Sequence, residues 1–481
     1  MNNLIFLLSI WLAKLLSLLI STLHIGQASN FPGKIALSFK KDLVKHFRFK
    51  KESRVIYITG TNGKSTTTGL IANILKASGK KVIYNTSGAN LLSGITSTLC
   101  HYSDLFGLIN CDYLIIEVDE ATLPLLTKQI SAHLIVVTNF FRDQLDRFGE
   151  LDTTVKLIEK GISNNKDATL ILNADDSRVA FLKNENKKVF FGLSNDIVSK
   201  KTDEYNPYNS LWSSDPEEVT TCPVCYSNFI FENKFLSHLG NYKCSSCNIK
   251  RPEISFLASN MKTDPSTINI DIVFNSHRNN FFIPLIGIFN LYNSLCAITV
   301  TKTIANVTNV QIQKGLQTYS SLFGRNEKIS LKNKTAWIYL IKNPTGTTEV
   351  LKTLSTIPKA RFLIAINDNH ADGRDVSWLW DARFDILANH KKEIYLSGKR
   401  AWDIALRLKY SNINQQKIIV NENLKTSILN ALNSISKEET LYILPTYTAL
   451  LEMQRTGICK SSPLSPAEHH SSNGIARKTK H

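Results

Sequence analysis

Acidic side chains are scarce in this chain of 481 residues, which has 40 Asp and Glu residues against 57 Lys and Arg residues. Between residues 34 and 54 the only acids are Asp42 and Glu52. The cations of that stretch are Lys34, Lys40, Lys41, Lys45, Arg48, Lys50, Lys51 and Arg54. Such a basic band favours an anionic partner: nucleic acid, an anionic bilayer surface or an acidic substrate. The alternative is the solvated surface of a generally basic protein.

The sequence also lacks a basic stretch ahead of its apolar start, which argues against a secretory signal. The first twenty residues are strongly apolar, but they include Lys14 and are at the lower limit of length for a bilayer span. On a helix, Lys14, Ser17 and Ser21 share one stripe, which favours an interfacial, docking or tilted helix. We expect residues 1–44 to form a segment that rests on the inner face of the plasma membrane in a cytoplasmic protein. Packing on the protein itself or on a partner is the alternative.

Cysteine is sparse as well, and half of the eight cysteines follow no pattern. Those four, which we interpret as ordinary thiols, are Cys100, Cys111, Cys296 and Cys459. The other four form two CxxC pairs separated by 18 residues: Cys222, Cys225, Cys244 and Cys247. This spacing is typical of a tetrathiolate zinc ribbon, in which the metal is structural because no coordination position stays open. Paired disulfides, the alternative, need an oxidising compartment.

The spacer between the two cysteine pairs is rich in aromatic residues. They are Phe229, Phe231, Phe235 and Tyr242. We expect a hairpin that covers the metal with these rings. The spacer holds few cations, Lys234 and Lys243, with Glu232 opposing them, so it offers no basic surface for reading nucleic acid.

A glycine is missing at position 58, where the general Walker A phosphate loop would need one and Ile58 stands instead. A shorter loop nevertheless follows the apolar run 55–58 and leads into a helical pattern. Its residues are Gly60, Thr61, Asn62, Gly63, Lys64, Ser65 and Thr66. Backbone N–H groups and the helix dipole would bind phosphate, Lys64 adds a positive charge, and Ser65 offers a hydroxyl to Mg²⁺. The sequence therefore predicts binding of a nucleoside triphosphate.

Short apolar segments alternate with amphipathic helical patterns from Arg54 to about Ser194, which predicts a doubly wound parallel sheet. The predicted strands cover 55–59, 81–85, 113–118, 134–138, 169–173 and 188–192, and two returning strands cover 267–274 and 281–284. Because ligands bind beyond the carboxyl ends of such strands, we expect the site in the loops that follow them.

The predicted organisation is α/β with two domains. Residues 45–325 form a central ATP-binding domain, and the cysteine pairs lie in an insertion at about residues 220–252. The pattern restarts after Gly324 and Arg325, so residues 326–458 form a C-terminal Rossmann-like α/β domain. Its predicted strands cover 336–341, 361–366, 393–396 and 440–444. The tail 459–481 is polar and is expected to be disordered.

Several motifs, in their order and spacing, resemble the Mur ligase family over residues 45 to 455. They are the phosphate loop, Glu117–Glu120, Thr138–Asn139 with Arg142–Asp146, and Gly287–Asn293. The cysteine insertion, with Asn343–Gly346 and Asp372–Asp381, resembles one branch, the MurT ligase subunits of lipid II isoglutaminyl synthase. The implied fold is a P-loop Mur ligase central domain with an inserted four-cysteine zinc ribbon and a C-terminal Rossmann-like domain.

The resemblance implies an ATP-dependent carbon–nitrogen ligase of peptidoglycan synthesis. It would phosphorylate the α-carboxylate of D-glutamate in lipid II, and ammonia would convert the acyl phosphate to D-isoglutamine. Lys64 would hold the transferring phosphoryl group and Ser65 and Glu117 would bind Mg²⁺. Asn290 is the implied adenine contact, and Arg325 would bind the nucleotide when the domains close.

Each of these assignments has a simpler alternative. Glu117 is also explained as a solvated carboxylate, Asn290 as a helix cap and Arg325 as a salt bridge near the hinge. The acids at 143–146 suit a helix N-terminus. Gln144 stands where many family members have a histidine, which puts a second metal site in doubt.

The nitrogen source points to a second chain. Free ammonia is mostly protonated at neutral pH, and a glutaminase needs a Cys or Ser nucleophile with a base. No cysteine here lies in a recognisable glycine-flanked elbow. The resemblance implies a heterodimer with a class I glutamine amidotransferase-like subunit of the GatD type, whose histidine an aspartate of the C-terminal domain would orient. We choose Asp375; the alternatives are Asp372, Asp381 and local pairing of these acids with Arg374 and Arg383.

Two other functions remain as alternatives. A folylpolyglutamate synthase or an amino-acid-adding Mur ligase would share the phosphate loop, but the cysteine insertion and the Asp372–Asp381 segment argue against both. A zinc-ribbon ATPase that binds nucleic acid would explain the positive charge, although the spacer of the ribbon does not favour it.

Overall fold

The structure is a computed structural model, and it describes residues 2–22, 30–85, 89–141, 151–199, 221–263, 267–319, 325–331 and 334–456. Three parts of the predictions lie outside the described residues: the acidic cluster 143–146 with Gln144, the thiol of Cys459, and the tail 459–481.

Helices form where apolar residues recur with helical spacing and where a polar side chain begins the first turn. Thr308 and Gln311 form a reciprocal capping box at one helix, and Asn423 accepts from Thr426 N at 2.9 Å at another. The described α-helices are Asn2–Thr22, Phe31–Phe39, Lys64–Ala77, Leu92–Tyr102, Leu123–Thr127, Leu151–Ser163, Ser177–Ala180, Asp196–Ser199, Ile288–Ile304, Asn309–Gln317, Pro344–Ser355, Trp378–Asp381, Ala401–Lys409, Leu424–Ser434 and Tyr447–Arg455, with 3₁₀ turns at Leu43–His46, Phe384–Leu387 and Gln415–Lys417.

A nine-stranded mixed sheet forms the first domain. Its strands are β2 (Arg54–Thr59), β3 (Val82–Tyr84), β5 (Tyr113–Glu117), β6 (Leu134–Val137), β7 (Thr169–Asn173), β8 (Lys188–Leu193), β11 (Phe256–Thr263), β12 (Ile268–Phe274) and β13 (His277–Ile283). They lie in the order β13-β12-β11-β8-β7-β6-β2-β5-β3. Strands from β3 to β11 are parallel to their neighbours, and β12 and β13 are antiparallel. The predicted strands are confirmed; β11 was not predicted, and β13 begins earlier than expected.

Both faces of this sheet are covered, as the alternation along β2 shows. Ile56 and Ile58 pack in the core on the side of helices Lys64–Ala77 and Ile288–Ile304. Val55 and Tyr57 pack in the core on the opposite side. Burial on both faces explains why the strands read as continuous apolar runs. A small parallel pair, β1 (Arg48–Phe49) and β4 (Leu108–Ile109), lies beside this domain.

The N-terminal helix packs on this protein with one stripe and leaves another exposed. Phe6, Ile10 and Ala13 are buried in the core on its side of the sheet. Lys14 Nζ donates to Ser103 O at 2.7 Å. The segment Asn3–Thr22 is long and apolar enough to cross a membrane by length and composition alone.

Residues 221–252, here called the cysteine ribbon, are inserted between the adjacent parallel strands β8 and β11. The ribbon contains an antiparallel hairpin of β9 (Phe229–Leu236) and β10 (Leu239–Cys244). Phe229, Phe231 and Tyr242 pack around the cysteines as predicted. The prediction for Phe235 was wrong: this ring packs in the core of the first domain, because it lies at the far end of β9, next to the hairpin turn.

The second domain is a six-stranded sheet. Its strands are β14 (Arg325–Leu331), β15 (Lys334–Tyr339), β16 (Ala360–Ala365), β17 (Ile394–Ser397), β18 (Ile418–Val420) and β19 (Thr440–Pro445). They lie in the order β14-β15-β19-β16-β17-β18. Only the β14–β15 pair is antiparallel among these described pairs. The predicted strands β15, β16, β17 and β19 are confirmed, whereas β14 and β18 were not predicted.

Candidate active site

Two glycines give the phosphate loop its shape. Gly60 and Gly63 have φ angles of +114° and +84°, which residues with a side chain rarely adopt. A Cβ on Gly60 would lie 2.5 Å from Thr138 Oγ1, and one on Gly63 would lie 2.1 Å from Asn293 Oδ1. Neither position has room for a side chain, so the loop requires glycine at both.

The loop that follows β6 holds the phosphate loop in place. Asn62 N donates to Asn139 Oδ1 at 2.9 Å, and Thr138 Oγ1 donates to Asn62 O at 2.8 Å. Thr61 N donates to Asn139 O, also at 2.9 Å. The Thr138–Asn139 motif therefore shapes the phosphate loop from the neighbouring strand.

Lys64 is the first residue of helix Lys64–Ala77 and is turned into the loop. Its Nζ donates to Glu120 Oε1 at 3.1 Å and to two carbonyl oxygens of the loop. Burial lowers the pKa of Lys64, but the carboxylates of Glu120, Glu117 and Asp119 together outweigh it, so the pKa is raised. The carboxylates thus favour the charged form of Lys64. Phosphate oxygens can take the place of the Glu120 carboxylate as its partner.

Ser65 and Glu117 were predicted to bind Mg²⁺, and their oxygen donors are of the type that a hard cation prefers. Ser65 is 1% exposed, and its Oγ has no hydrogen-bond partner among the described residues. Glu117 is 3% exposed, and its Oε1 accepts a long contact from Asn90 Nδ2, at 3.5 Å. Asn85 fixes the backbone of Glu117, since Glu117 N donates to Asn85 Oδ1 at 2.8 Å. A hydroxyl and a carboxylate beside a phosphate loop are ligands that Mg²⁺ prefers.

A cavity of about 240 Å³ joins these groups at the carboxyl ends of the first sheet's strands. Its lining from the first domain includes Thr61, Asn62, Gly63, Lys64, Ser65, Thr66, Glu117, Glu120, Asn139, Asn290, Tyr292 and Asn293. Leu236 and Leu239 come from the cysteine ribbon, and Lys342, Asn343 and Glu349 come from the second domain. The structure therefore brings Glu117, Asn290 and residues 61–66 of the predicted phosphate loop to one cavity, whereas Gly60 is not part of its lining.

Asn290 lies in the first turn of helix Ile288–Ile304, but it does not cap that helix in the usual way. The N-cap residue is Gly287, and no side chain makes a cap hydrogen bond there. Asn290 Nδ2 donates to Ile286 O at 2.8 Å, and its Oδ1 accepts from Asn293 Nδ2 at 3.4 Å. The adenine contact stays a prediction that this position allows.

The second domain contributes residues to which no role was assigned from the sequence. Asn343 Nδ2 donates to Asn62 Oδ1 at 3.0 Å, and Lys342 Nζ lies 3.5 Å from Thr61 O. Asn343 Oδ1 also caps helix Pro344–Ser355 by accepting from Gly346 N at 2.8 Å. The sequence did draw attention to these residues through the Asn343–Gly346 motif. Only the fold shows that this motif contacts the phosphate loop, 281 residues away in the chain.

The four paired cysteines converge on one point. Cys222 Sγ lies 3.7 Å from Cys247 Sγ, and Cys225 Sγ lies 3.3 Å from Cys244 Sγ. All four sulfur atoms lie within 4.8 Å of one another. Zinc–sulfur bonds of about 2.3 Å in a tetrahedron place sulfur atoms about 3.8 Å apart. The cluster therefore has the size of a tetrathiolate metal site.

The three candidate aspartates of the second domain lie outside the cavity and differ in their surroundings. Asp372 is 7% exposed, and both of its carboxylate oxygens are used: Oδ1 accepts from Thr448 N at 2.7 Å, and Oδ2 accepts from the Thr448 hydroxyl. Burial raises the pKa of Asp372. Asp375 is half-buried and accepts from Ser377 N at 2.8 Å, and Asp381 is exposed.

Two other predictions concern arginines. Arg383 forms an ion pair with Asp385 at 2.7 Å. Arg325 is the first residue of β14, and its side chain lies outside the part that the structure describes.

Comparison with known proteins agrees with the motifs. Residues 58–220 match the Mur ligase middle domain, and residues 340–450 match the MurT ligase C-terminal domain. The chain is 32% identical over 439 residues to the MurT subunit of lipid II isoglutaminyl synthase (glutamine-hydrolyzing) from Streptococcus pneumoniae, covering 90% of this chain and 92% of that protein. It is 33% identical over 430 residues to the same subunit from Staphylococcus aureus strain COL, covering 89% and 92%.

A solved structure shows the same fold. The pseudomurein peptide ligase type C from Methanothermus fervidus superposes with a TM-score of 0.63 at 23% identity, covering 87% of this chain and 80% of that one. With the phosphate loop and the cavity, these matches define an ATP-dependent ligase. The chain belongs to the MurT branch of the Mur ligase family, and the predicted resemblance is confirmed.

Proposed function

We propose that this chain amidates the α-carboxylate of D-glutamate in lipid II and so forms D-isoglutamine. The relatives from S. pneumoniae and S. aureus carry the name of that activity. The observation that carries the proposal is one cavity lined by Lys64, Glu117 and Asn343, to which both domains contribute. A ligase has to hold a phosphoryl donor against its acceptor and keep water away from the activated acyl group.

The reaction has two steps. A carboxylate oxygen first attacks the γ-phosphorus of ATP, the bond to the bridging oxygen breaks, and ADP leaves. Ammonia then attacks the carbonyl carbon of the acyl phosphate, inorganic phosphate leaves with the bonding electrons, and the nitrogen loses a proton. Negative charge on phosphoryl oxygens has to be balanced in both steps.

The residues of the cavity suit this charge balance. When ATP binds, phosphoryl oxygens replace Glu120 as the partner of Lys64. The N–H groups at the start of helix Lys64–Ala77 face the same phosphoryl group. Ser65 and Glu117 hold Mg²⁺, which supplies positive charge at the phosphoryl oxygens. In this proposal Asn290 contacts the adenine. Arg325, at the domain boundary, binds the nucleotide when the domains close.

Ammonia comes from a second subunit in this proposal, a class I glutamine amidotransferase-like glutaminase of the GatD type. The names of both relatives describe a subunit of a glutamine-hydrolyzing enzyme, which supports a partner. Asp375 orients the histidine of that partner. Its partial exposure supports the choice, whereas the carboxylate oxygens of Asp372 are already used by Thr448.

A structural zinc ion bound by the four paired cysteines belongs to the same proposal. The separations between sulfur atoms support it, and backbone N–H groups point at two of the sulfurs, as at thiolates that bind metal. Val224 N lies 3.5 Å from Cys222 Sγ, and Ser246 N lies 3.4 Å from Cys244 Sγ.

The test of the reaction is mass spectrometry of lipid II after incubation with the purified chain, Mg-ATP and isotopically labelled ammonium at alkaline pH. We expect one labelled nitrogen to replace one oxygen in the stem peptide. A Lys64→Met chain is the control, because it keeps the length of the side chain without the charge. Absence of product both here and with glutamine plus the glutaminase subunit would contradict the proposal.

The proposed location is cytoplasmic, with the N-terminal helix resting on the inner face of the plasma membrane. Leu4, Leu8, Leu15 and Leu18 are each more than half exposed, at 57%, 51%, 52% and 60%. The basic residues 34–54 follow in the chain and complement anionic lipid headgroups. A lipid-linked substrate would be met at this surface.

Vesicle sedimentation tests the location. We expect the chain to sediment with vesicles that contain anionic lipid, and the variant Leu4→Ser/Leu15→Ser to stay in the supernatant. Both leucines are exposed, so the packing of Phe6, Ile10 and Ala13 is kept. Val310→Ser, an exposed residue in the helix layer on the opposite face of the sheet, is the control. Equal sedimentation of all three proteins would overturn this location.

A further inference from the structure

We infer that the cysteine ribbon forms part of the nucleotide pocket, and that Asp175 is a positioning residue that joins the ribbon to the helix bearing Asn290. The inference rests on the proposed function, in that the cavity holds a nucleotide. The proposed role of this segment has so far been to bind a structural metal, although two of its leucines line the cavity.

The tip of the ribbon lies beside the phosphate loop. Leu236 and Leu239, on either side of the hairpin turn, are 5% and 1% exposed and line the cavity. His238, within the turn, packs against the ring of Phe141 with 4.8 Å between ring centroids. Phe141 N donates to Thr61 Oγ1 at 3.1 Å, so one residue separates the ribbon from the phosphate loop.

A second set of contacts leads from the base of the ribbon to the helix Ile288–Ile304. Arg251, just beyond the second cysteine pair, forms an ion pair with Asp175 Oδ1. The other oxygen, Oδ2, accepts from the Tyr292 hydroxyl at 2.7 Å and from Leu193 N at 2.9 Å. Asp175 is fully buried, so these contacts are shielded from water. One carboxylate thus holds both the ribbon and a residue that lines the cavity.

Backbone contacts tie the hairpin to the same loop. Gly240 N donates to Asp175 O at 2.9 Å. Tyr242 Oη donates to Ala174 O at 3.1 Å, and the ring of Tyr242 packs in the small core around Cys222 and Cys244. These contacts form a continuous path from the metal site through Tyr242 to Ala174 and Asp175. The path continues through the bond of Asp175 to Tyr292, which lines the cavity two residues after Asn290, the proposed adenine contact.

The experiment measures ADP binding by titration calorimetry on the full chain with its zinc content determined. Tyr242→Phe removes one hydroxyl from the ribbon without touching the cavity. Its matched control is Tyr57→Phe, because Tyr57 Oη donates to Ile130 O at 3.0 Å on the opposite face of the same sheet. Each variant loses one hydrogen bond from a buried Tyr hydroxyl to a backbone carbonyl oxygen.

We expect Tyr242→Phe to raise the dissociation constant of ADP about threefold or more, and Tyr57→Phe to leave it unchanged at a similar loss of thermal stability. Tyr292→Phe should raise it by a larger factor, about tenfold, because its bond is to a charged group. In the amidation assay the KM for ATP should rise in Tyr242→Phe and in Tyr292→Phe, while kcat changes little.

The outcomes separate two failures. If the unmodified chain, with full zinc content, does not bind ADP, the proposed function is wrong. If it binds ADP and Tyr242→Phe and Tyr292→Phe both bind equally well, the coupling is wrong. A rise in the dissociation constant of Tyr57→Phe equal to that of Tyr242→Phe would also overturn it, since lost stability alone would then explain the effect.

Discussion

The phosphate loop and the segment Asp372–Asp381 both carry candidate catalytic groups, but their polar atoms are arranged differently. In the loop, Ser65 Oγ has no hydrogen-bond partner among the described residues, and Lys64 is held by a replaceable carboxylate. In the second segment, both oxygens of Asp372 are used by Thr448. Asp375 is half-buried and lies outside the cavity. The loop thus presents polar groups to a cavity of small-ligand size, whereas the dependence of the aspartate segment on a partner is a proposal that the predictions below test.

The largest effect should come from Asp375→Asn, which tests the dependence on a partner. We expect glutamine-driven amidation by the two-subunit enzyme to fall by about 10³–10⁴-fold, as when the orienting carboxylate of a triad is lost. Ammonia-driven amidation should not change. Asp381→Asn is the matched control and should affect neither. Equal loss of both activities in Asp375→Asn would contradict this difference between the two segments, because Asp375 would then be needed for the ligase reaction itself.

Gly63→Ala should produce the next largest effect. The new Cβ would lie 2.1 Å from Asn293 Oδ1, so the loop has to shift. A shift of about 1 Å in a catalytic group costs about a hundredfold in rate, and we expect that loss in ammonia-driven amidation. Gly79→Ala is the control, because Gly79 has a similar φ of +82° but nothing within 4 Å of the position that a Cβ would take. If both variants lose activity alike, backbone strain and not the close contact is responsible.

Asp372→Asn should act on stability. One of its two acceptor oxygens becomes an NH₂ donor facing Thr448, so we expect the free energy of unfolding to fall by about 1–3 kcal/mol. Ammonia-driven and glutamine-driven turnover should fall together or not at all. Chemical denaturation followed by both assays checks this. Selective loss of the glutamine-driven reaction would move the partner-facing role from Asp375 to Asp372.

The smallest effect is expected for Asn343→Ser. Serine keeps a side-chain acceptor for capping helix Pro344–Ser355 but does not reach Asn62 Oδ1, so one contact between the domains is lost. We expect kcat/KM for ATP to fall about threefold to tenfold with little change in stability. Asn423→Ser, at the cap of helix Leu424–Ser434, provides the control. An unchanged kcat/KM would indicate that the contact with Asn62 is not used in turnover.

Much of the first domain was predictable because its information is local. The phosphate loop is seven consecutive residues between a strand and a helix, and each main strand is an apolar run. The missed strands give weaker signals: β18 is apolar but only three residues long, and β11 contains Ser259, Asn260 and Lys262. When only part of a strand is buried, its pattern of apolar residues is weaker and the strand is harder to predict.

The rest of the site depends on contacts between distant parts of the chain. Asn343 meets Asn62 across 281 residues, and nothing in either local sequence indicates the pairing. The ribbon was interpreted as a cover for its metal, so Leu236 and Leu239 were not assigned to the nucleotide cavity. Phe235 was placed on the metal for the same reason, although its position in the middle of the spacer puts it next to the hairpin turn and away from the cysteines.

The contact between Gly63 and Asn293 also has a consequence for biosynthesis. Thr67 Oγ1 donates to Asn293 Oδ1 at 3.4 Å across 226 positions of the chain, so the phosphate loop is completed by a helix made much later. While the ribosome has released only the first parallel strands, the nascent chain contains the phosphate loop but not Asn293, which contacts it in the folded protein. We therefore expect ATP to stabilise the first domain only after helix Ile288–Ile304 has emerged, and the apolar core to stabilise the domain before that point.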